Sequence, residues 1–416
     1  MANGPGNGSY YDDAPPSATP RVRTPTPDLD AQPPAQVRRK VVANTPEPPP
    51  QPTSASSRLR AQPPARSQLR IGIIGTGGMA AAHAENFLKQ DGCKLAACLD
   101  IEPTAAKAFA DRFHIPKVAK DAQDLIEQCD AIAVVTPDTS HAAYVLRALR
   151  CNRHVLCEKP LTSTLAEARE VARAAKDAQS RGVVGMVNFS YRCAAAMHHA
   201  AWMFGQGRIG ELRHVSAQYV QGWLCAAHEP SGGALWRMRR ATGGGVLADL
   251  GCHLLDMVTA ITGDIRRVQC VMGTFPKVAK NGENFTRWQG KQLDADDTAV
   301  ISVEFAAGGM GVLQVSRWAC GRENTIKVDL HGTRGALVFD LDHSYDQVHH
   351  HELAGKKWNT EHPAPAPSGW KRFIDAVRAG HHEQPDLVRG AQIQAYLDAC
   401  RRSAEHGCWM DIEPWM

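Results

Sequence analysis

No run of about 18 apolar residues occurs in the chain, so it offers no membrane-spanning helix. No C-x-x-C pair stands among its twelve cysteines, so the close ligand spacing that announces a zinc site is missing. Several of them, Cys98 and Cys270 included, lie inside apolar runs and read as buried thiols of a reducing cytoplasm. An excess of one charge is missing too. The chain has 47 Lys and Arg against 43 Asp and Glu, and residues 1–66 hold eight of the first kind against five of the second. The remainder has no basic face to neutralise a phosphate backbone, which reads against nucleic acid as a partner. The pair Arg38-Arg39 lacks the apolar stretch of an export signal, because Glu47 and a series of prolines break the residues that follow it. The cluster His349-His350-His351 reads as a solvated strand end, and no metal is expected.

What is present divides the chain. Of its 26 prolines, 15 fall in residues 1–66, among Ser, Thr, Gly and Gln with few large apolar side chains. Such a segment cannot bury enough surface to offset its ordering entropy, so residues 1–67 read as a disordered tail. From Leu69 short apolar strands alternate with helical stretches as far as about Val187, which specifies a doubly wound parallel sheet. Strands are expected near residues 70–74, 94–99, 131–135 and 154–156. Beyond that the rhythm changes. A long helix is expected over Val246 to Ile261, then strand candidates follow one another through Leu341, with His331 to Gly335 as a hairpin turn. This predicts an α+β second domain, residues 188–416, with a large, mostly antiparallel sheet. Its last helices, within residues 370–406, are expected to pack back toward the first domain, residues 68–187.

Gly75-Thr76-Gly77-Gly78-Met79-Ala80 fits G-x-G-x-x-G/A between a strand and a helix. The first glycine permits the tight turn, the second lets backbone approach a pyrophosphate, and Ala80 allows close helix–strand packing. Backbone N–H groups at the helix start would then face the phosphates. Asp100 ends the second strand at the spacing expected of a carboxylate that binds the adenosine ribose hydroxyls. The same residues also suit a plain βα turn with a capping acid. An anionic Asp100 would repel a 2′-phosphate, so NAD is favoured over NADP, although Lys107 or Arg112 could compensate. Thr136-Pro137 closes the third strand at the sheet's carboxyl edge, where ligands of such folds sit, and His141 lies at the start of the next helix.

Glu158-Lys159-Pro160 follows the fourth strand at the same edge, with the proline read as a first helical residue that stiffens the turn. Asp249 and His253 are four apart on an otherwise apolar helix, so they share one face. Buried polar groups need partners. The two are either a satisfied core pair or part of a catalytic set.

The set Gly75-x-Gly77-Gly78-Met79, Thr136-Pro137-x-x-x-His141, Glu158-Lys159-Pro160 and Gly243-Gly244-Gly245-x-x-x-Asp249-x-Gly251-x-His253-x-x-Asp256 resembles the Gfo/Idh/MocA family, that of glucose–fructose oxidoreductase and inositol dehydrogenase. Tyr191-Arg192 and Gly207 to Glu211 add to the likeness, which spans roughly residues 68–413. The resemblance implies a homo-oligomeric oxidoreductase that acts on a sugar, inositol or related polyol. It also implies a substrate held between the nicotinamide and the open face of the second sheet. It assigns Lys159, Asp249 and His253 to catalysis, with Glu158 and His141 near the nicotinamide ribose. Histidine titrates near about 6.5 when unperturbed, which suits His253 to general-base work, while Lys159 would stabilise a developing alkoxide. Trp236, Arg237 and Arg192 are candidates for substrate contact, as are Arg317, Arg322 and Asn324. Ser190-Tyr191-Arg192 and Ala194 to Ala196 depart from the residues common in the family. Two other readings remain: an NAD-dependent glycosidase that works by transient oxidation, and a non-catalytic dinucleotide sensor.

Overall fold

The computed structural model describes residues 68–225 and 232–416. The tail expected over residues 1–67 lies outside them.

Five parallel strands form the first sheet: β1 (Leu69–Ile74), β2 (Cys93–Leu99), β3 (Ala131–Val134), β4 (His154–Cys157) and β5 (Gly185–Val187), in the order β2-β1-β3-β4-β5. Helices α1 (Gly78–Leu88), α2 (Pro103–Phe113), α3 (Ala122–Gln128), α4 (Asp138–Arg150) and α5 (Leu165–Ser180) are the connections. All four residues of β3 are buried, as expected of a strand covered on both faces. Ile71 and Ile73 join one core with Ala80 and Phe87 of α1, whereas Ile74 and Ile132 join the other with Leu125 of α3. The strand order reverses between β1 and β3, which creates the crevice where ligands of such sheets bind.

Next come α6 (Ala195–Gly205), β6 (Leu212–Val220), the short α7 (Gly232–Leu235), α8 (Cys252–Thr262) and β7 (Ile265–Gly273). Two small hairpins follow, β8 (Lys277–Val278) with β9 (Asn284–Phe285) and β10 (Arg287–Trp288) with β11 (Lys291–Gln292). The chain then runs through β12 (Thr298–Phe305), β13 (Met310–Ser316), β14 (Thr325–Gly332), β15 (Gly335–Asp340), β16 (Val348–Glu352) and β17 (Asn359–Glu361). Helices α9 (Gly369–Ala379) and α10 (Leu387–His406) and strand β18 (Met410–Asp411) complete it. The second sheet has nine strands, β17-β16-β15-β14-β6-β13-β12-β7-β18, antiparallel throughout except where β6 meets β13. The expected fold class, a doubly wound parallel sheet plus an α+β part with a large antiparallel sheet, is therefore what the chain adopts.

Strand residues alternate between a buried face and an outer one. On β6 Val215, Ala217 and Tyr219 are buried, while His214 and Ser216 are exposed. The buried face meets α8 and α10, and α9 lays Phe373 and Ile374 into the core beside α1. Among the described residues no helix is long and apolar enough to cross a membrane.

The expected helix over residues 246–261 is not uniform. A π-helical turn, Leu247–Gly251, precedes α8. Its start is held from outside the helix, since the Asp296 carboxylate accepts from Leu247 N at 2.7 Å and the Asp296 carbonyl from Val246 N at 2.9 Å. Such single wide turns recur at functional sites.

Candidate active site

Gly75 has φ +90° and a side chain there would meet the Val135 carbonyl at 2.6 Å, so the turn out of β1 admits only glycine. Gly77 and Gly78 are the opposite case, with open space where a Cβ would stand. Helix α1 starts without a side-chain cap and without an acid in its first turn, so its leading N–H groups remain available as donors. Ala80 is fully buried against the sheet. Asp100 reaches across to this turn and accepts from Thr76 N at 2.6 Å and Thr76 Oγ1 at 2.7 Å. These residues fit the pyrophosphate and ribose of a dinucleotide. Lys107 and Arg112, the cations that would welcome a 2′-phosphate, are paired instead with Asp111 and Glu85.

The carboxyl edge is tied together behind the cavity. His141 is 1% exposed and holds its Nδ1 2.9 Å from the Pro160 carbonyl and its Nε2 2.8 Å from the Thr136 carbonyl. It thus straps the loop after β3 to the loop after β4. Neither His141 nor Thr136 nor Pro137 lines the cavity. Pro137 stands at the N-cap of α4. Pro160 is not a first helical residue as expected. It follows a cis bond in a turn, and α5 starts only at Leu165, with a Thr164–Glu167 capping box.

A cavity of about 440 Å³ opens beyond this edge, lined by residues of both sheets' connections, among them Met79, Glu158, Lys159, Tyr191, Asp249 and His253. Glu158 is buried and its Oε1 accepts from His83 Nε2 at 2.8 Å and Asn188 Nδ2 at 2.7 Å. Burial alone would push its pKa up. The His83 bond, the nearby Lys159 charge and the Asn188 bond outweigh that and bring it down to about 2. Lys159 Nζ donates to Asp249 Oδ1 at 2.6 Å and to the Asp249 carbonyl at 3.2 Å. Burial would drive off its proton, but the Asp249 charge holds the ammonium above its ordinary range. On the other carboxylate oxygen, Asp249 accepts from Arg317 Nη2 at 2.6 Å and Arg237 Nε at 3.3 Å. Burial works against the carboxylate, and the charges of Lys159 and Arg317 hold it well below the usual range.

Asp249 and His253 both line the cavity, but no hydrogen bond joins them. The wide turn intervenes, and the acid is spent on three cations. His253 sits among Phe189, Tyr191 and Tyr219, edge-on to Tyr191 at 4.9 Å between ring centroids. Its Nδ1 is buried without a partner. Burial first, and then the Lys159 charge, lower its pKa to about 3, so the ring is neutral.

Beneath it runs a closed ring of hydrogen bonds, each 2.8 Å. Asn324 Nδ2 donates to the Tyr191 hydroxyl, and the Tyr219 hydroxyl donates to Asn324 Oδ1. That leaves Tyr191 as the donor to Tyr219. Gln221 and Trp223 extend the same wall. Tyr219, Gln221 and Trp223 are alternate residues running off the end of β6, a period-two signal that could have been read from the sequence. They continue the helix-covered face of the second sheet. The expected position over its open face is therefore corrected: Ser216 and Gln218 point the other way, because side chains on a strand alternate.

The expected substrate contacts divide. Arg237 lines the cavity, whereas Trp236 does not, and the Arg237 guanidinium lies 4.4 Å from the Trp236 ring centroid. Arg192 is turned away from the cavity into a two-point pair with buried Asp256, at 2.6 and 2.7 Å, which Arg389 shares at 3.0 Å. Arg317 is 1% exposed and Asn324 is engaged in the tyrosine ring, so both support the wall from behind. Arg322 lies on the surface near Asp342. His350 is paired with Glu361, and no group of potential metal ligands is found among the described residues. His83 and Asn188, which hold Glu158, were not anticipated. Their signal was faint: His83 lies one helical turn after Met79 on the same face of α1.

Comparison with known proteins agrees with this geometry. A family model for oxidoreductases with an NAD-binding Rossmann fold matches residues 69–189, and the model for the same family's C-terminal domain matches residues 197–338. Levoglucosan dehydrogenase of Pseudarthrobacter phenanthrenivorans is 26% identical over 388 residues, covering 83% of this chain and 98% of its own. D-glucoside 3-dehydrogenase of Escherichia coli is 25% identical over 352 residues, with coverage of 83% and 98%. An oxidoreductase domain protein from Kribbella flavida superposes with a TM-score of 0.74 at 30% identity, over 84% of this chain and 100% of that one. A levoglucosan dehydrogenase in complex with NADH superposes with a TM-score of 0.73 at 25% identity, over 83% and 99%. The chain belongs to the Gfo/Idh/MocA family of oxidoreductases.

Proposed function

We propose that this chain is an NAD-dependent dehydrogenase that oxidises a secondary hydroxyl of a sugar, inositol or related polyol, or reduces the corresponding ketone. One observation carries the reading. A charged lysine and a neutral histidine face one cavity, at the end of the sheet that bears the dinucleotide turn. The bound nicotinamide supplies the hydride acceptor. Neutral His253, although burial and the Lys159 charge make it a weaker base than the free ring, takes the hydroxyl proton, and the Lys159 ammonium stabilises the negative charge that develops on oxygen. Asp249 clamps Lys159, and its charge partly offsets the effect of burial and of Lys159 on His253. Glu158 and Met79, with the turn at Gly75, Gly77 and Gly78, belong to the cofactor side of the site. The other wall offers Tyr191, Tyr219, Gln221 and Trp223, hydroxyl, amide and aromatic groups suited to a neutral ligand rich in hydroxyls. The names of the relatives, a levoglucosan and a D-glucoside dehydrogenase, support the same class.

The division into residues 68–187 for the dinucleotide and 188–416 for substrate and assembly belongs to this proposal. So do a homo-oligomeric state and a cytoplasmic location, the latter carried by the sequence alone. A panel of polyols, aldoses and glycosides, followed by nicotinamide absorbance with NAD, tests the activity. NADH should accumulate with at least one free polyol or sugar. Sugar release from a glycoside without net NADH would favour the transient-oxidation mechanism instead, and cofactor binding without turnover on any compound would favour a sensor.

A further inference from the structure

His83 is fully buried in α1 and does not line the cavity that Glu158 lines. Its two ring nitrogens have different partners. Nε2 lies 2.8 Å from Glu158 Oε1, and Nδ1 lies 3.1 Å from the indole Nε1 of Trp370 at the start of α9. An indole nitrogen can only donate, so Nδ1 must carry the lone pair and the proton must sit on Nε2. The neutral ring is thereby satisfied on both sides, and its one N–H is aimed at the carboxylate. Trp370 is 287 positions from His83 and also meets it edge-on, with ring centroids 5.4 Å apart. Indole, imidazole and carboxylate thus form a directed chain of donors that ends at the cavity wall.

We infer that His83 is a positioning residue that keeps Glu158 ionised and aimed into the cavity, with Trp370 selecting the His83 tautomer that makes this possible. Other titratable groups face Glu158 as well. Lys159 follows it and lends positive charge, while His253, Cys157 and Cys252 lie near enough to interact. Lys159, however, is committed to Asp249, and Asn188 is the remaining side-chain donor on the Glu158 oxygens. Glu158 is a buried carboxylate, so losing one of two side-chain donors leaves burial to push its proton affinity up. The inference rests on the site proposed above, but its test reads the apoprotein and needs no substrate.

The protonation state of Glu158 is read by infrared spectroscopy of the apoprotein at pH 5 and pH 7, with the band assigned by its loss in Glu158→Gln. In the unmodified protein the carboxylate band should be present at both pH values. In His83→Ala a protonated band should appear at pH 5, which from about 2 requires a rise in proton affinity of about a thousandfold. His83→Gln, whose amide can accept from Trp370 and donate to Glu158, should restore the carboxylate. Trp370→Phe keeps the ring but removes the N–H, and should shift the titration in the direction of His83→Ala. If His83→Ala does not fold, the comparison of His83→Gln with Trp370→Phe decides, because only the second breaks the chain of donors. An ionised Glu158 at pH 5 in His83→Ala or Trp370→Phe would overturn the inference. So would a His83→Gln protein that titrates like His83→Ala. Failure to find a substrate would leave these spectra unchanged.

Discussion

The Lys159 ammonium lies 2.6 Å from the Asp249 carboxylate, a pairing across 90 positions of the chain that joins the edge of the parallel sheet to the turn preceding α8. Arg317 and Arg237 reach the opposite oxygen of the same carboxylate. One acid therefore organises three cations at the cavity wall, and Lys159 is the one nearest the dinucleotide side. The pairing keeps Lys159 charged and restricts where its head group points, two conditions for stabilising an oxyanion.

Replacing Asp249 by Asn should lower kcat by about 10²–10³-fold, the usual cost of losing a preorganised electrostatic partner. Stability should fall as well, by about 3–5 kcal/mol, because Arg317 is left buried without its counter-charge. The raised Lys159 pKa contributes stability below its unfolded value of about 10.4, and that contribution is lost only as pH rises through the higher folded value. The loss in Asp249→Asn should thus be fully present at pH 7. Steady-state kinetics and thermal unfolding at pH 7 check both effects. Near-normal turnover in this variant would remove Asp249 from the mechanism.

His253 has the opposite sign. Its folded pKa of about 3 lies below the unfolded value of about 6.5, so the unfolded chain takes up the proton first. Stability should therefore drop as pH falls below about 6.5, by about 2 kcal/mol from this group at pH 5. His154 and His198 are shifted the same way by burial, so the comparison must be between proteins. His253→Gln should lose less stability than the unmodified protein between pH 7 and pH 5, measured by urea unfolding. Identical pH slopes would mean that the ring is not held neutral. In parallel, His253→Ala should bind NADH and lose turnover, and retained turnover would exclude it as the base.

The parts of this site were legible unequally, for physical reasons. The glycine turn could be read because a positive φ and a close carbonyl admit one residue type at Gly75. Strand ends at Asp100, Thr136 and Glu158 followed from the βα rhythm. Partnerships did not follow. Asp249 and His253 share a helix face in an ideal helix, but Asp296, from a distant loop, holds the first turn wide and turns the acid toward Lys159. Tyr191 and Arg192 are adjacent in sequence and went opposite ways. In the tight turn Ser190–Cys193 one ring enters the cavity, and the other side chain finds buried Asp256. Arg317 and Trp370 contribute only once the fold brings them near, and no local pattern marks either.

Cofactor preference should turn on Asp100. The acid sits at the end of β2, paired to Thr76, and the neighbouring Lys107 and Arg112 already have carboxylate partners. Asp100→Ser should raise the ratio of kcat/KM for NADP over NAD by about tenfold or more by removing like-charge repulsion. Ile101 is 86% exposed beside it, so adding Ile101→Arg should raise the ratio further through a guanidinium–phosphate contact. An unchanged ratio in the double variant would mean that the adenosine end lies elsewhere.

The outer face of the nine-stranded sheet bears on assembly. Val271 is 70% exposed and Met310 60%, and Val300 and Val312 are also exposed on the neighbouring central strands. Register places Val300 beside Val271 on one side and Gln314 on the other, while Val312 stands between Ser302 and Ser216, so the valines of this face lie as one adjacent pair and a diagonal neighbour among polar side chains. Exposed valines on a sheet face are costly to leave in water and can pack against a second sheet. The proposed homo-oligomer should therefore pack through this face. Val300→Glu combined with Val312→Glu should convert it to a monomer, read as a fall in sedimentation coefficient that persists at high protein concentration. Because both positions face outward, the monomer should keep its secondary structure by circular dichroism, which separates lost assembly from lost folding. A double variant that sediments like the unmodified protein would place the interface elsewhere, and an unmodified protein that is already monomeric would remove the assembly itself.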